Sequence, residues 1–115
     1  MGHAPLLLPG TAAYIRDKQG HILLQKRSDC GLWGFPGGGQ NLGESATQAV
    51  VREVYEETGL HVEPTRLIGA YGDPSFARTF ANRDAVQPVV AFFEARVVGG
   101  TLRVNSPETL EVTYF

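Results

Sequence analysis

The sequence predicts a mixed α/β fold in a single domain, residues 1–115, and three observations carry that prediction. The 115 residues are a one-domain length, enough to bury about two-thirds of the unfolded surface. Runs rich in Val, Leu and Phe recur along the chain, separated by Gly- and Pro-containing turns. One well-capped helix lies in the middle, and a sheet is the natural partner for its apolar face.

The elements follow in order. Thr11 to Arg16 reads as a strand, and Asp17-Lys18-Gln19-Gly20 supplies turn chemistry with Gly20 suited to positive φ. His21 to Lys26 then completes a hairpin. Asp29 to Gly43 holds six glycines and one proline, too many for a helix or a central strand. Ser45 and Gln48 form an S-x-x-Q capping box that opens a helix over Ala46 to Thr58. Its length is roughly 20 Å at 1.5 Å per residue. Gly59 sits where a left-handed residue ends it. Leu67 to Tyr71 and Val89 to Val98 read as strands. Gly99-Gly100 signals a hairpin into Thr101 to Val104, and Leu110 to Phe115 reads as a last strand.

Composition excludes several classes. Hydrophobic residues make up 43% and charged residues 19%, with a net charge of −2, so no global basic field attracts a nucleic acid duplex or an anionic membrane. The single Cys30 allows no intramolecular disulfide, and no Cys/His zinc spacing exists. No apolar run approaches the ~20 residues of a membrane span, and the N-terminus has no signal-peptide pattern. A cytoplasmic protein is expected.

The helix carries the chemistry. Glu53, Glu56 and Glu57 fall at i, i+3 and i+4 and share one face, while Val50, Val51, Val54 and Thr58 gather on another. Ala46 and Ala49 lie on the acidic face, where small side chains leave space for something bound. Arg52 flanks that face and reaches Glu56 at i+4. One arginine does not neutralise three carboxylates, and a hard divalent cation such as Mg²⁺ or Mn²⁺ would. Alone, the pattern also fits a solvated helix face, because like-charged pairs cost only about a few tenths of a kcal/mol each. The adjoining loop decides between the two.

From Gly38 the chain reads Gly-x5-Glu44-x7-Arg52-Glu53-Val54-x-Glu56-Glu57-x-Gly59-Leu60. This resembles the Nudix box of the Nudix (MutT-like) hydrolases at every defining position, with chance odds on the order of one in ten million. A looser resemblance runs back through Leu32-Trp33-Gly34-Phe35-Pro36-Gly37. The resemblance implies an α/β/α sandwich around a mixed sheet. It also implies metal-dependent hydrolysis of a nucleoside diphosphate linked to another moiety. Glu56 and Glu57 would then be metal ligands, joined by a main-chain carbonyl at Gly37 or Gly38. Glu53 would be a further ligand or the general base, and Arg52 and Glu44 would pair to hold the carboxylates in place. Glycines at this loop let backbone approach metal and phosphate without a Cβ in the way.

Outside the box, Lys26, Arg27, Phe35, Phe76 and Arg78 are candidate substrate contacts, offering charge to phosphate or an aromatic face to a base. The stretch Gly72 to Gln87 is long enough to be a functional loop. Glu94, Glu108 and Glu111 are candidates for one more acid, with Glu108 preferred. Family members continue past the last strand into a second helix, which is missing here. The expectation is a truncated chain, a trimmed fold, or a partner subunit such as a homodimer mate over the exposed face. The leading reading is a nucleotide pyrophosphohydrolase acting on a small molecule: a nucleoside triphosphate, ADP-ribose or a nucleotide sugar, or a dinucleoside polyphosphate. The alternative is a non-catalytic nucleotide-binding module on the same fold, against which the complete set Glu53, Glu56 and Glu57 argues.

Overall fold

The computed structural model describes residues 6–71, 78–79 and 85–115. In chain order the elements are β1 (Leu6–Ile15), β2 (Leu23–Arg27), β3 (Trp33–Gly34), β4 (Gly37–Gly39), α1 (Ala46–Thr58), β5 (Leu60–Tyr71), β6 (Arg78–Thr79), β7 (Ala85–Gly100) and β8 (Thr109–Tyr114). They form a mixed α/β fold. The larger sheet runs β4-β1-β7-β5, with β6 also paired to β7, and β1 and β7 are its parallel pair. A second, antiparallel sheet runs β3-β2-β8.

The helix begins and ends where its caps place it. Ser45 Oγ accepts the Gln48 N–H at 3.1 Å, and Gln48 Oε1 accepts the Ser45 N–H at 2.9 Å. Gly59 closes the helix at φ 76°, its N–H bonded to the Tyr55 carbonyl. Val50 and Val54 pack into a core with Ala13, Ile15, Leu23, Leu60, Val62, Phe93 and Ala95, so the larger sheet covers the apolar face of α1. Ala49 is fully buried too. Its small side chain makes room for the chain itself and not for something bound.

Five expectations are corrected. The first hairpin is reduced to one bridge, Arg16 to Ile22. Both edges of β1 are already taken by β4 and β7, so the next strand turns away. Ile22 and Phe115 instead exchange N–H···O bonds of 2.8 Å, and β2 pairs with β8. Gly99-Gly100 makes no hairpin, because β7 runs straight through it with Leu60 opposite Gly100. Thr101 to Val104 is not a strand: the Thr101 and Arg103 N–H groups bond the Gly59 and Thr58 carbonyls, satisfying the end of α1. The strand expected from Leu67 starts at Leu60, directly after the helix cap. Of the stretch read as one long loop, Arg78–Thr79 is β6 and Ala85 onward belongs to β7. Among the described residues α1 is the sole helix, and none is long and apolar enough to cross a membrane.

Candidate functional site

Cap geometry sets the register of α1, and that register brings Glu53 and Glu57 against β4. Glu57 is 4% exposed. Its Oε1 accepts the Gly37 N–H at 2.8 Å and Gln25 Nε2 at 3.0 Å. Among the described residues no hydrogen bond reaches Oε2. Glu53 lies against the backbone of Gly38, where an added Cβ would stand 2.5 Å from Glu53 Oε2. Position 38 is therefore a glycine because a carboxylate occupies the space of a side chain. Thr11 Oγ1 donates to the Gly38 carbonyl at 3.2 Å and steadies this strand on β1.

Arg52 ties loop and helix together. Its Nε and Nη2 grip Glu44 at 2.7 and 2.9 Å, and Nη2 also donates to the Gly39 carbonyl at 2.8 Å. Nη1 reaches Glu53 Oε1 at 2.9 Å and Glu56 Oε2 at 3.2 Å. The bidentate hold of Arg52 lowers the Glu44 carboxyl to about 2. Glu56 is the outermost of the three helix acids, its side chain 51% exposed.

The two inner acids are pushed the other way. Burial raises Glu53 against the opposing bond from Arg52, and the charges of Glu56 and Glu108 add to the rise. Burial raises Glu57 to about 7, although Gly37 and Gln25 both favour its charged form. An acid whose folded pKa lies above its ordinary 4.5 binds its proton more tightly in the folded chain. Its contribution to stability is therefore largest at low pH and is lost as pH rises from about 4.5 to about 7. The full swing is on the order of 3 kcal/mol at about 1.4 kcal/mol per pKa unit. In chelating buffer at pH 8, Glu57→Gln is expected to melt several degrees above the parent chain, and the gap should close toward pH 4. A gap independent of pH in paired melting curves would contradict this.

The structure brings together most of the residues that the sequence singled out. Glu44, Arg52, Glu53, Glu56, Glu57, Gly37 and Gly38 form one constellation. Beside it is a groove of about 330 Å³ lined by Pro9, Gly10, Arg27, Phe35, Gly37 to Gly39 and Val90. Phe35 is 40% exposed there and packs on Phe92 with ring centroids 4.9 Å apart. Arg27 pairs bidentately with Asp29, and its charge also favours ionised Glu57. Lys26 alternates to the other face of β2 from Gln25 and Arg27, opposite Trp33 and Glu111, and does not line the groove. Phe76 lies outside the described residues, and Arg78 pairs with Val86 in β6. Glu94 pairs with Arg66 at 3.5 Å and lines a different groove, with Arg16 and Arg96. Glu111 lines a third, with Trp33. Sequence reasoning did not single out Gln25 or Thr109. Their signal was present for Gln25, a polar residue two positions after the core residue Leu23 on the inward face of a strand.

No three acidic, His or Cys side chains among the described residues converge into a ready-made ion cage. The donor set suits a cation that keeps water and takes one or two carboxylates plus phosphate oxygens, which is how Mg²⁺ is usually held. The cradle at Gly38 and the unbonded Oε2 of buried Glu57 fit that pattern.

The NUDIX domain model matches residues 6–115. A Bacillus subtilis (strain 168) protein provisionally named an 8-oxo-dGTP diphosphatase is 35% identical over 100 residues, covering 87% of this chain and 60% of that protein. The crystal structure of an ADP-ribose pyrophosphatase from Streptococcus suis 89-1591 aligns at a TM-score of 0.74 and 32% identity, over 94% of this chain and 72% of that one. A MutT NUDIX hydrolase from Burkholderia pseudomallei aligns at 0.78 and 30% identity, over 96% and 83%. The chain spans about six-tenths of the length of the first curated relatives it matches. With the box intact and the fold matched across its length, the chain belongs to the NUDIX family.

Proposed function

We propose that this chain hydrolyses a nucleoside diphosphate linked to a further phosphate or sugar moiety, with Mg²⁺ or Mn²⁺ as cofactor. The observation that carries the reading is buried Glu57 and half-buried Glu53, set on the Gly37-Gly38 backbone beside a groove with an aromatic wall and an arginine. A purely structural helix face has no reason to take one carboxylate wholly and another partly out of water against glycine backbone, because burial opposes their charge.

Glu57, joined by Glu53 or Glu56 and by a carbonyl of Gly37 or Gly38, would hold the cation, with water and phosphate oxygens as its other ligands. When bound, it supplies positive charge to the phosphoryl oxygens and makes water a better nucleophile. The chain's own groups do the rest. Arg52, anchored on Glu44 and the Gly39 carbonyl, keeps Glu53 and Glu56 in place. Glu53, its proton affinity raised by burial, accepts the proton of the attacking water or serves as a further ligand. Arg27 meets phosphate charge, and Phe35 offers a face for a base. The water oxygen bonds to one phosphorus of the diphosphate, the P–O–P bridge breaks, and the other phosphate leaves.

Relatives named for 8-oxo-dGTP and for ADP-ribose keep both substrate classes within this proposal. Phosphorus-31 NMR of the products tests it. A nucleoside triphosphate should give the monophosphate and pyrophosphate, and ADP-ribose should give AMP and ribose 5-phosphate. Direct release of inorganic phosphate from either would refute the reaction class.

The glycine loop provides a second test. In Gly38→Ala the new methyl meets the carboxylate of Glu53, a side chain that can shift. Turnover should fall roughly 10²-fold, the cost of about 1 Å of misplacement, while the melting temperature moves little. Gly37→Ala instead drives a methyl into the Thr11 carbonyl, which is backbone and does not yield, so melting should move strongly. Equal behaviour of the two variants would argue against a carboxylate cradle at Gly38.

A further inference from the structure

The carboxylate of Glu57 is held from outside its own helix. Gln25 Nε2 donates to its Oε1, and the Thr109 hydroxyl donates to Gln25 Oε1 at 2.9 Å. Glu57, Gln25 and Thr109 are all buried. The relay joins α1 to β2 and to β8, across 84 residues of sequence between Gln25 and Thr109. With Glu57 ionised the relay runs in this direction, because reversing the Gln25 amide would set its oxygen against a carboxylate oxygen.

The backbone is shaped to make this relay. In the β2–β8 ladder, Gln25 opposes Val112 and Lys26 opposes Glu111, but Arg27 opposes Thr109. Leu110 is the extra residue of a bulge in β8. Without it, Leu110 would oppose Arg27 on the face that carries Gln25, and an aliphatic chain would stand where the hydroxyl now is. Bulges of this kind re-aim side chains next to functional sites.

Both donors to Glu57, the Gly37 N–H and Gln25 Nε2, land on the same oxygen. We infer that Gln25, fixed by Thr109, is a positioning residue that keeps Oε1 of Glu57 bound to the protein and commits Oε2 to the divalent cation. The inference rests on the metal reading proposed above and assigns Gln25 and Thr109 a part in it. Partners of this kind typically contribute 10–100-fold to metal affinity.

The test is Mn²⁺ binding to the full chain without substrate, followed by electron paramagnetic resonance, with a melting curve for each variant. Gln25→Met should raise the Mn²⁺ Kd about 10-fold, and Thr109→Val nearly as much. Thr109→Ser retains the hydroxyl and should bind like the parent. The double variant should be no weaker than Gln25→Met alone, because Thr109 acts only through Gln25. Folded Gln25→Met with the parent's Mn²⁺ affinity, even at a lower melting temperature, would overturn the inference and leave a packing role. If Gln25→Met does not fold, Thr109→Val against Thr109→Ser decides on the same readout. A parent chain that binds no Mn²⁺, or Glu57→Gln binding it as the parent does, overturns the metal reading itself, and the positioning role with it.

Discussion

Glu57→Gln is expected to cut turnover with Mg²⁺ by at least ~10²-fold while leaving the fold intact. The amide is nearly the shape of the carboxylate, and the site dictates which way it lies. Two N–H donors converge on Oε1, so the Gln oxygen takes that position and its NH₂ replaces Oε2. The substitution therefore exchanges the one unbonded oxygen for a cation-repelling donor and removes the charge, with both buried hydrogen bonds kept. Steady-state kinetics over a Mg²⁺ titration read the effect. Unchanged turnover at saturating Mg²⁺ would take Glu57 out of the site.

Glu53→Gln is expected to lower kcat by about 10²–10⁴-fold if the carboxylate takes the proton from water. The side chain is 14% exposed and lies against the Gly38 backbone, with one oxygen bonded to Arg52. Burial raises its proton affinity, which suits a base better than an ordinary surface carboxylate would. The amide still accepts the bond from Arg52 but takes up no proton. A fall in kcat that persists at saturating Mg²⁺ assigns the base. A defect that extra Mg²⁺ repairs assigns a ligand instead.

The parts of this molecule legible in its sequence are those fixed by local chemistry. Ser45, Gln48 and Gly59 bound a helix whose ends the structure places at Ala46 and Thr58. Its spacing puts the acids on one side and Val50 and Val54 in the core. The ion pair of Arg52 with Glu44, eight residues apart, was expected only from the family resemblance, and the structure forms it.

What the sequence hid depends on distant partners. Pro64 and the charges around it argue against a strand over Leu60 to Arg66, yet β5 extends through them. It lies at the end of the sheet order, and its pairing with β7 shifts register at Pro64 to Arg66. Gly99-Gly100 carries a hairpin signal, but the last carbonyls of α1 claim the segment that follows. Lys26 and Arg27 look equivalent in sequence. Strand alternation sends only Arg27 to the groove. Thr109 reaches Gln25 through a bulge that no local pattern announces.

Hydrolysis by the full chain with Mg²⁺ and with EDTA should be measured side by side on nucleoside triphosphates, ADP-ribose, nucleotide sugars and dinucleoside polyphosphates, with phosphate counted after coupled phosphatase treatment. Glu53 on its glycine cradle and buried Glu57 beside it should give turnover of at least one substrate class with Mg²⁺, abolished by EDTA. No turnover of any of them by chain with a cooperative melt, or turnover indifferent to EDTA, would contradict a metal-dependent pyrophosphohydrolase.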